Sequence, residues 1–467
     1  MLIFKHFFAV RANISISLHF AIKFNKLNHE TKSPWSLSLP LDAEGYISYI
    51  GRLKRGCSHE SRTNYGYEHN CKDMVLEKTF VDFFAGIGLM RVGLEQEGWK
   101  AAFSNDIAQD KFQMYHDHFG ENDGNFLVGD IHELDAEQVP TVAMATASFP
   151  CNDLSLAGMR KGLAGKQSSA YWGFVRILDQ MGHRRPPIIL LENVAGFLTS
   201  HGGCDFHSAL ESLNRLGYAV DAFIIDAARF VPQSRVRLFV VGHLRTESWG
   251  VGESLTFYES PVRPKALAQF IFRHPEIVWD VRDLPPPPDG APSLPEILED
   301  LPDDSPYWWT KERCDYLVGQ MSERHSEQLR RMMEQRQWSW GTVFRRIRKG
   351  RSMAELRTDG VAGCLRTPRG GSGRQILVQA GYRTVKARLL TPRECARLMG
   401  ADRFVVKVPL NQALFGFGDA VCVPVVAWIA KHYLNPLFES LRRPSNITSS
   451  CHRETLANAT YALASDI

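Results

Sequence analysis

Between Thr79 and His243 short β-rich runs alternate with helical patterns: TFVDFF, AAFSND, NFLVGD, TVAMATASF, PIILLEN, YAVDAFIID and RLFVVGH. Strands separated by helices predict βαβ units, and therefore a doubly wound, mostly parallel α/β sheet with helices on both faces. Apolar runs such as IILL and FVV suit strands buried on both sides. Ligands of such sheets bind beyond the carboxyl ends of the strands, near the point where strand order reverses. Asp82, Phe84, Asp106, Asp130, Cys151 and Glu192 all fall at or just after the end of an expected strand, so they are expected to converge on one crevice.

The pattern changes after residue 243. Residues 244–360 show no steady alternation, contain the proline block LPPPPDGAPSLP at 284–295, and scatter Trp308, Trp309, Trp338 and Trp340 through it. A smaller, irregular domain over 244–387 behind a stiff linker is expected, with 388–438 returning to the first domain, 74–243. The end, 439–467, is polar and weakly periodic and is expected to be a flexible tail. Residues 1–73 also lack clear periodicity. Their opening is apolar and basic, without an acidic residue until Glu30, but Lys5, His6, Arg11 and Asn13 interrupt it and no small-residue cleavage signal follows. The segment reads as an extension or misplaced start rather than a targeting signal. No uninterrupted apolar run reaches the ~18 residues of a membrane span.

Composition narrows the partners. At 467 residues and about 150 per domain, roughly three domain-sized units are the prior. With 44% apolar and 23% charged residues and a net charge of +4, the chain has the composition of a globular protein, so any nucleic-acid footprint must be local. Residues 341–374 provide one: Arg345, Arg346, Arg348, Lys349, Arg351, Arg357, Arg366, Arg369 and Arg374 against Glu355 and Asp359, a local excess of 9 − 2 = +7. That density points to a polyanion, although arginines also solvate helical faces. Nine cysteines without a CxxC pair or paired Cys/His spacing argue against disulfides and structural zinc. No metal is expected, and the cytoplasm is the expected compartment.

Several side chains are candidates for chemistry. Gly86 and Gly88 of DFFAGIG sit where a strand should turn into a helix, and Asp106 follows about 20 positions on, placed to hold ribose hydroxyls. Asp130 adds a polar group in register, suited to an adenine amino group. A glycine turn alone also fits a dinucleotide site or a structural turn. Cys151 in SFPCNDLS follows a buried strand, with Pro150 fixing the chain direction. It is a nucleophile or an inert small hydrophobe. Glu192 in LLENV ends an apolar strand, the kind of desolvated place where a carboxyl group exchanges a proton near neutrality, or it caps a helix. Arg235 and Arg237 in PQSRVRLF share one face and would orient an anion or carbonyl oxygen, or form an ordinary ion pair.

Taken together, PC, ENV and QxRxR in this order, with DFFAGIG before them and RLLTPRECARLMG (388–400) and FGFGDAVCVPVVAWIA (415–430) after, resemble the cytosine-5 DNA methyltransferase family. The resemblance runs from about residue 79 to 435. It implies a Rossmann-like catalytic domain and a small target-recognition domain. The implied reaction carries a methyl from S-adenosylmethionine to carbon 5 of a cytosine flipped out of double-stranded DNA, through a covalent cysteine adduct. Cys151 would be the nucleophile, Glu192 the group on the ring nitrogen, and Arg235 and Arg237 their neighbours. Phe84, Gly86, Gly88, Asp106, Ile107, Asp130, Ile131, Pro150, Asp419 and Ala420 would hold the cofactor. A monomer is expected, with a cognate restriction endonuclease as a partner. Three positions depart from the family pattern: Asn152 replaces Gln, Leu89 a glycine, and Asp419 Asn. None removes a group that the reaction requires. The alternatives are a tRNA cytosine-5 methyltransferase and a catalytically silent DNA-binding regulator on the same fold.

Overall fold

The computed structural model describes residues 77–120, 125–150, 170–244, 255–348, 350–367 and 373–442. Residues 1–76, Cys151 with Asn152, and the tail beyond Arg442 lie outside the described residues. In chain order the first part runs β1 (Thr79–Phe83), α1 (Leu89–Glu95), β2 (Lys100–Asp106), α2 (Gln109–Phe119), β3 (Phe126–Val128) and β4 (Met144–Ala147). It continues with α3 (Ala170–Met181), β5 (Ile188–Val194), α4 (Cys204–Arg215), β6 (Tyr218–Asp226), β7 (Val236–Leu244) and α5 (Lys265–Arg273). These strands form one sheet in the order β3-β2-β1-β4-β5-β7-β6. The order reverses between β1 and β4, where a crevice opens at the strands' carboxyl ends.

β7 is the exception to the parallel expectation, pairing antiparallel with both β5 and β6. Only residues 227–235 join β6 to β7, too few for the dozen or more that a parallel crossover needs. The two-residue period sorts side chains onto two faces. Phe80, Met144, Ile188, Leu190, Phe239 and Val241 enter one core with Leu89, Met90 and Leu94 of α1. Val81, Phe83, Ala145, Ile189, Leu191 and Val240 enter the other, under α3, α4 and α5.

The remainder is more regular than its sequence pattern. Helices α6 (Lys311–Val318) and α7 (Glu323–Glu334) precede β8 (Ser339–Arg348), β9 (Arg351–Arg357), β10 (Ile376–Gly381) and β11 (Thr384–Leu389). These four strands make an antiparallel sheet, β11-β10-β8-β9, over a third core that includes Leu317, Leu329, Val343, Ile376 and Val378. One face of β8 and β9 is solvated, so arginines interrupt the apolar positions and hide the strand period. The chain then returns through α8 (Pro392–Leu398), α9 (Leu410–Asp419), α10 (Val423–Ile429) and α11 (Asn435–Arg442). α11 carries helix four residues into the segment expected to be a tail. The stretch Leu410–Arg442 is long and apolar enough to cross a membrane, but 78% of its most apolar part is buried inside the protein.

Candidate active site

The loop after β1 is built from left-handed backbone. Phe84, Gly86 and Gly88 have φ of 58°, 58° and 85°. A Cβ on Gly88 would lie 2.5 Å from Phe119 Cε2 and 2.7 Å from Tyr115 Cδ2, so only glycine fits there. Phe84 adopts the same region with a full side chain, a strain of about 1–3 kcal/mol that concentrates at functional sites. Asp106, at the end of β2, fixes this loop: its two carboxylate oxygens accept from Gly86 N and Ala108 N, each at 2.9 Å.

The loop forms one wall of a cavity of about 430 Å³, within the range of small-molecule sites. Phe84, Gly86, Asp106, Ile107, Asp130, Ile131, Pro150, Glu192, Arg235, Arg237, Asp419 and Ala420 all line it. Gly88 does not; it packs behind the loop at the start of α1. Asp82 does not either, being held inside the sheet. Ile107 is 67% exposed, an apolar face offered to the cavity, and Ser148 Oγ is buried there without a hydrogen-bond partner among the described residues.

At the inner end Glu192 is 7% exposed. Its Oε1 is 2.8 Å from Arg237 Nε. Arg235, two residues earlier, is buried and turned to backbone: it donates to Leu365 O (3.0 Å), Gly418 O (3.3 Å) and Ala420 O. It therefore binds the C-terminal return to the mouth of β7, while Arg237 serves the carboxylate. Burial, reinforced by the Arg237 charge, lowers the pKa of Arg235. Gly418 also lets the return pass against residues 366–367, where an added Cβ would lie 2.6 Å from the Arg366 and Thr367 backbone.

Sequence reasoning missed several residues here. Asn193 Nδ2 donates to Phe149 O at 3.2 Å, steadying the chain as it reaches Pro150 and the cavity; its signal was the ENV string itself. Cys364 Sγ lies 3.4 Å from Arg235 Nη1. Burial works to raise this thiol's pKa, but the guanidinium groups of Arg235, Arg237 and Arg366 outweigh it and hold the value below the ordinary one. Lys111 on α2 lines the cavity opposite Asp419, and neither Cys364 nor Lys111 had a local motif. Distant segments also gather His207, His274 and Glu276 outside the cavity, with ligand-type atoms within 4.8 Å of one another; both rings meet Glu276 Oε1, at 2.9 and 2.8 Å.

Comparison with known proteins identifies the family. Residues 78–435 match the C-5 cytosine-specific DNA methylase family. The Type II methyltransferase M.DsaV of Dactylococcopsis salina is 30% identical over 358 residues, covering 76% of this chain and 86% of its own. M.HhaI of Haemophilus parahaemolyticus is 26% identical over 75% of this chain and 92% of its own. The solved Entamoeba histolytica methyltransferase EhMeth shares the fold, with a TM-score of 0.53 at 16% identity, over 79% of this chain and 99% of that one. With this match extending from β1 to the start of α11, the chain belongs to the C-5 cytosine-specific DNA methylase family and is a DNA cytosine methyltransferase.

Proposed function

We propose that this enzyme transfers a methyl group from S-adenosylmethionine to carbon 5 of a cytosine flipped out of double-stranded DNA, using Cys151 as a covalent nucleophile. The supporting observation is one cavity that joins two kinds of wall. Asp106, Asp130 and the exposed Ile107 offer two carboxylates and an apolar side chain, groups that suit an adenosine, while Glu192 and Arg237 line the same cavity with Pro150, the residue before Cys151. The left-handed loop and Ser148 Oγ, which has no hydrogen-bond partner among the described residues, fit a ligand with polar groups. Asp106 would hold ribose hydroxyls, Asp130 the adenine amino group, and Asp419 and Ala420 would close the pocket. When bound, the cofactor supplies an electrophilic methyl on a sulfonium sulfur.

Carbon 5 of cytosine is too weak a nucleophile by itself. The Cys151 thiolate adds to carbon 6 while Glu192, oriented by Arg237, gives a proton to the ring nitrogen, and electron density moves to carbon 5. After methylation, loss of the carbon-5 proton expels the thiolate. Flipping the base costs a few kcal/mol. The antiparallel sheet, which begins in the 244–387 region and ends with β11 two residues past it, would grip phosphates and read base edges. M.DsaV and M.HhaI are Type II methyltransferases; we extend that setting to this chain, with a companion restriction endonuclease and a cytoplasmic location. Cys151→Ser is expected to abolish methyl transfer while retaining cofactor binding, and the parent is expected to form a stable adduct with 5-fluorocytosine DNA. Substantial turnover by the serine variant would overturn the mechanism.

A further inference from the structure

Lys111 and Asp419 face each other on the cavity wall, one from α2 and one from the end of α9. Lys111 Nζ lies 2.9 Å from Asp419 Oδ2, with the two side chains 22% and 37% exposed, so the pair sits at the rim. Asp419 Oδ1 also accepts from Thr367 Oγ1. A parallel tie joins the same two helices, Gln412 Nε2 donating to Asp110 O at 3.0 Å. Burial works against the Lys111 charge, but Asp419 and Asp106 outweigh it and raise the lysine's pKa. The family pattern has a neutral Asn at the Asp419 position. A bare carboxylate there, near the Asp106 and Asp110 charges that also act on Lys111, would repel the return from α2.

We propose that Lys111 and Asp419 are positioning residues that form an electrostatic clasp, holding the C-terminal return against α2 so that the wall of the methyl-donor cavity stays in place. The clasp lets this chain carry a carboxylate where an amide serves elsewhere. The inference rests on the assignment of S-adenosylmethionine to this cavity. It predicts reciprocal rescue, because removing either charge strands the other, whereas removing both deletes the pair without leaving one member unmatched. Asp419→Asn keeps an acceptor for Thr367, so it isolates the charge.

Binding of S-adenosylhomocysteine to the full chain, measured by calorimetry, tests this with Lys111→Met, Asp419→Asn and the double variant. Each single change is expected to weaken binding about tenfold, and the double variant to return to within about threefold of the parent, as coupled partners do. In turnover, the single variants should raise KM for the methyl donor more than they lower kcat. Losses that simply add in the double variant, or singles that bind like the parent, would overturn the clasp alone. A parent that binds neither S-adenosylmethionine nor S-adenosylhomocysteine would overturn the donor assignment and the clasp with it.

Discussion

Asp82, the residue before the last of β1, is 1% exposed and accepts a 2.6 Å hydrogen bond from Thr146 Oγ1 on β4. Burial raises its pKa from 3.8 to about 7, against the pull of that bond. Between about pH 4 and 7 the folded protein thus keeps a proton that the unfolded chain has released, so this group's contribution to stability falls as pH rises through that window. Asp82→Asn is neutral throughout. Its advantage over the parent in denaturation midpoint is expected to grow from pH 4 to 7 and level off above; a pH-independent difference would contradict this. The same residue shows how far single positions could be read. Asp106 was legible because it ends β2, and Glu192 because it directly follows the apolar run of β5, two residues before that strand ends. Asp82 lies one residue inside β1, where the two-residue period turns it away from the crevice. Lys111 and Cys364 meet their partners only across 308 and 129 positions of sequence (419 − 111 and 364 − 235), a span that no local pattern carries.

Elements are joined by buried polar groups as much as by apolar ones. Arg388 in β11 and Glu394 in α8 are both fully buried and make two 2.6 Å hydrogen bonds. Glu394 also accepts from Thr391 N and Glu299 N, each at 2.9 Å, so one carboxylate fastens the small sheet, the helix start and the segment before α6. Removing one member of such a pair leaves a buried charge without its partner. Arg388→Met is expected to lower stability by about 3–5 kcal/mol, and Arg388→Met with Glu394→Gln to recover part of it, as read from denaturant midpoints. A double variant no better than the single one would show that the charges are not coupled. Strings such as RLLTPREC announced the segment but not this junction. The strands β1 to β7 were legible because both faces of their sheet are covered, which writes continuous apolar runs. The small sheet was not, because a half-solvated strand rich in arginine loses its apolar signal.

At the scale of the whole molecule, charge separates the two sheets. The net charge of +4 is small, while the β8–β9 hairpin concentrates exposed arginines around its turn at Gly350 (φ 76°). Glu355 is shared by Arg346 at 3.3 Å and Arg348 at 3.0 Å, so one carboxylate faces two guanidinium groups and positive charge remains in excess. Arg348 and Arg351 are paired directly across the hairpin, an arrangement that like charges disfavour without an anion between them. Phosphates of a DNA backbone meet that need, and each one neutralised releases counterions. Replacing Arg346, Arg348 and Arg351 with Gln should therefore flatten the salt dependence of duplex binding, by about 0.9 in the slope of log K against log salt for each phosphate that the variant no longer neutralises. Anisotropy titrations over a salt series give the slope directly. The cavity lies on the other sheet, so S-adenosylhomocysteine affinity should be unchanged in this variant. An unaltered slope would move the phosphate grip away from the hairpin.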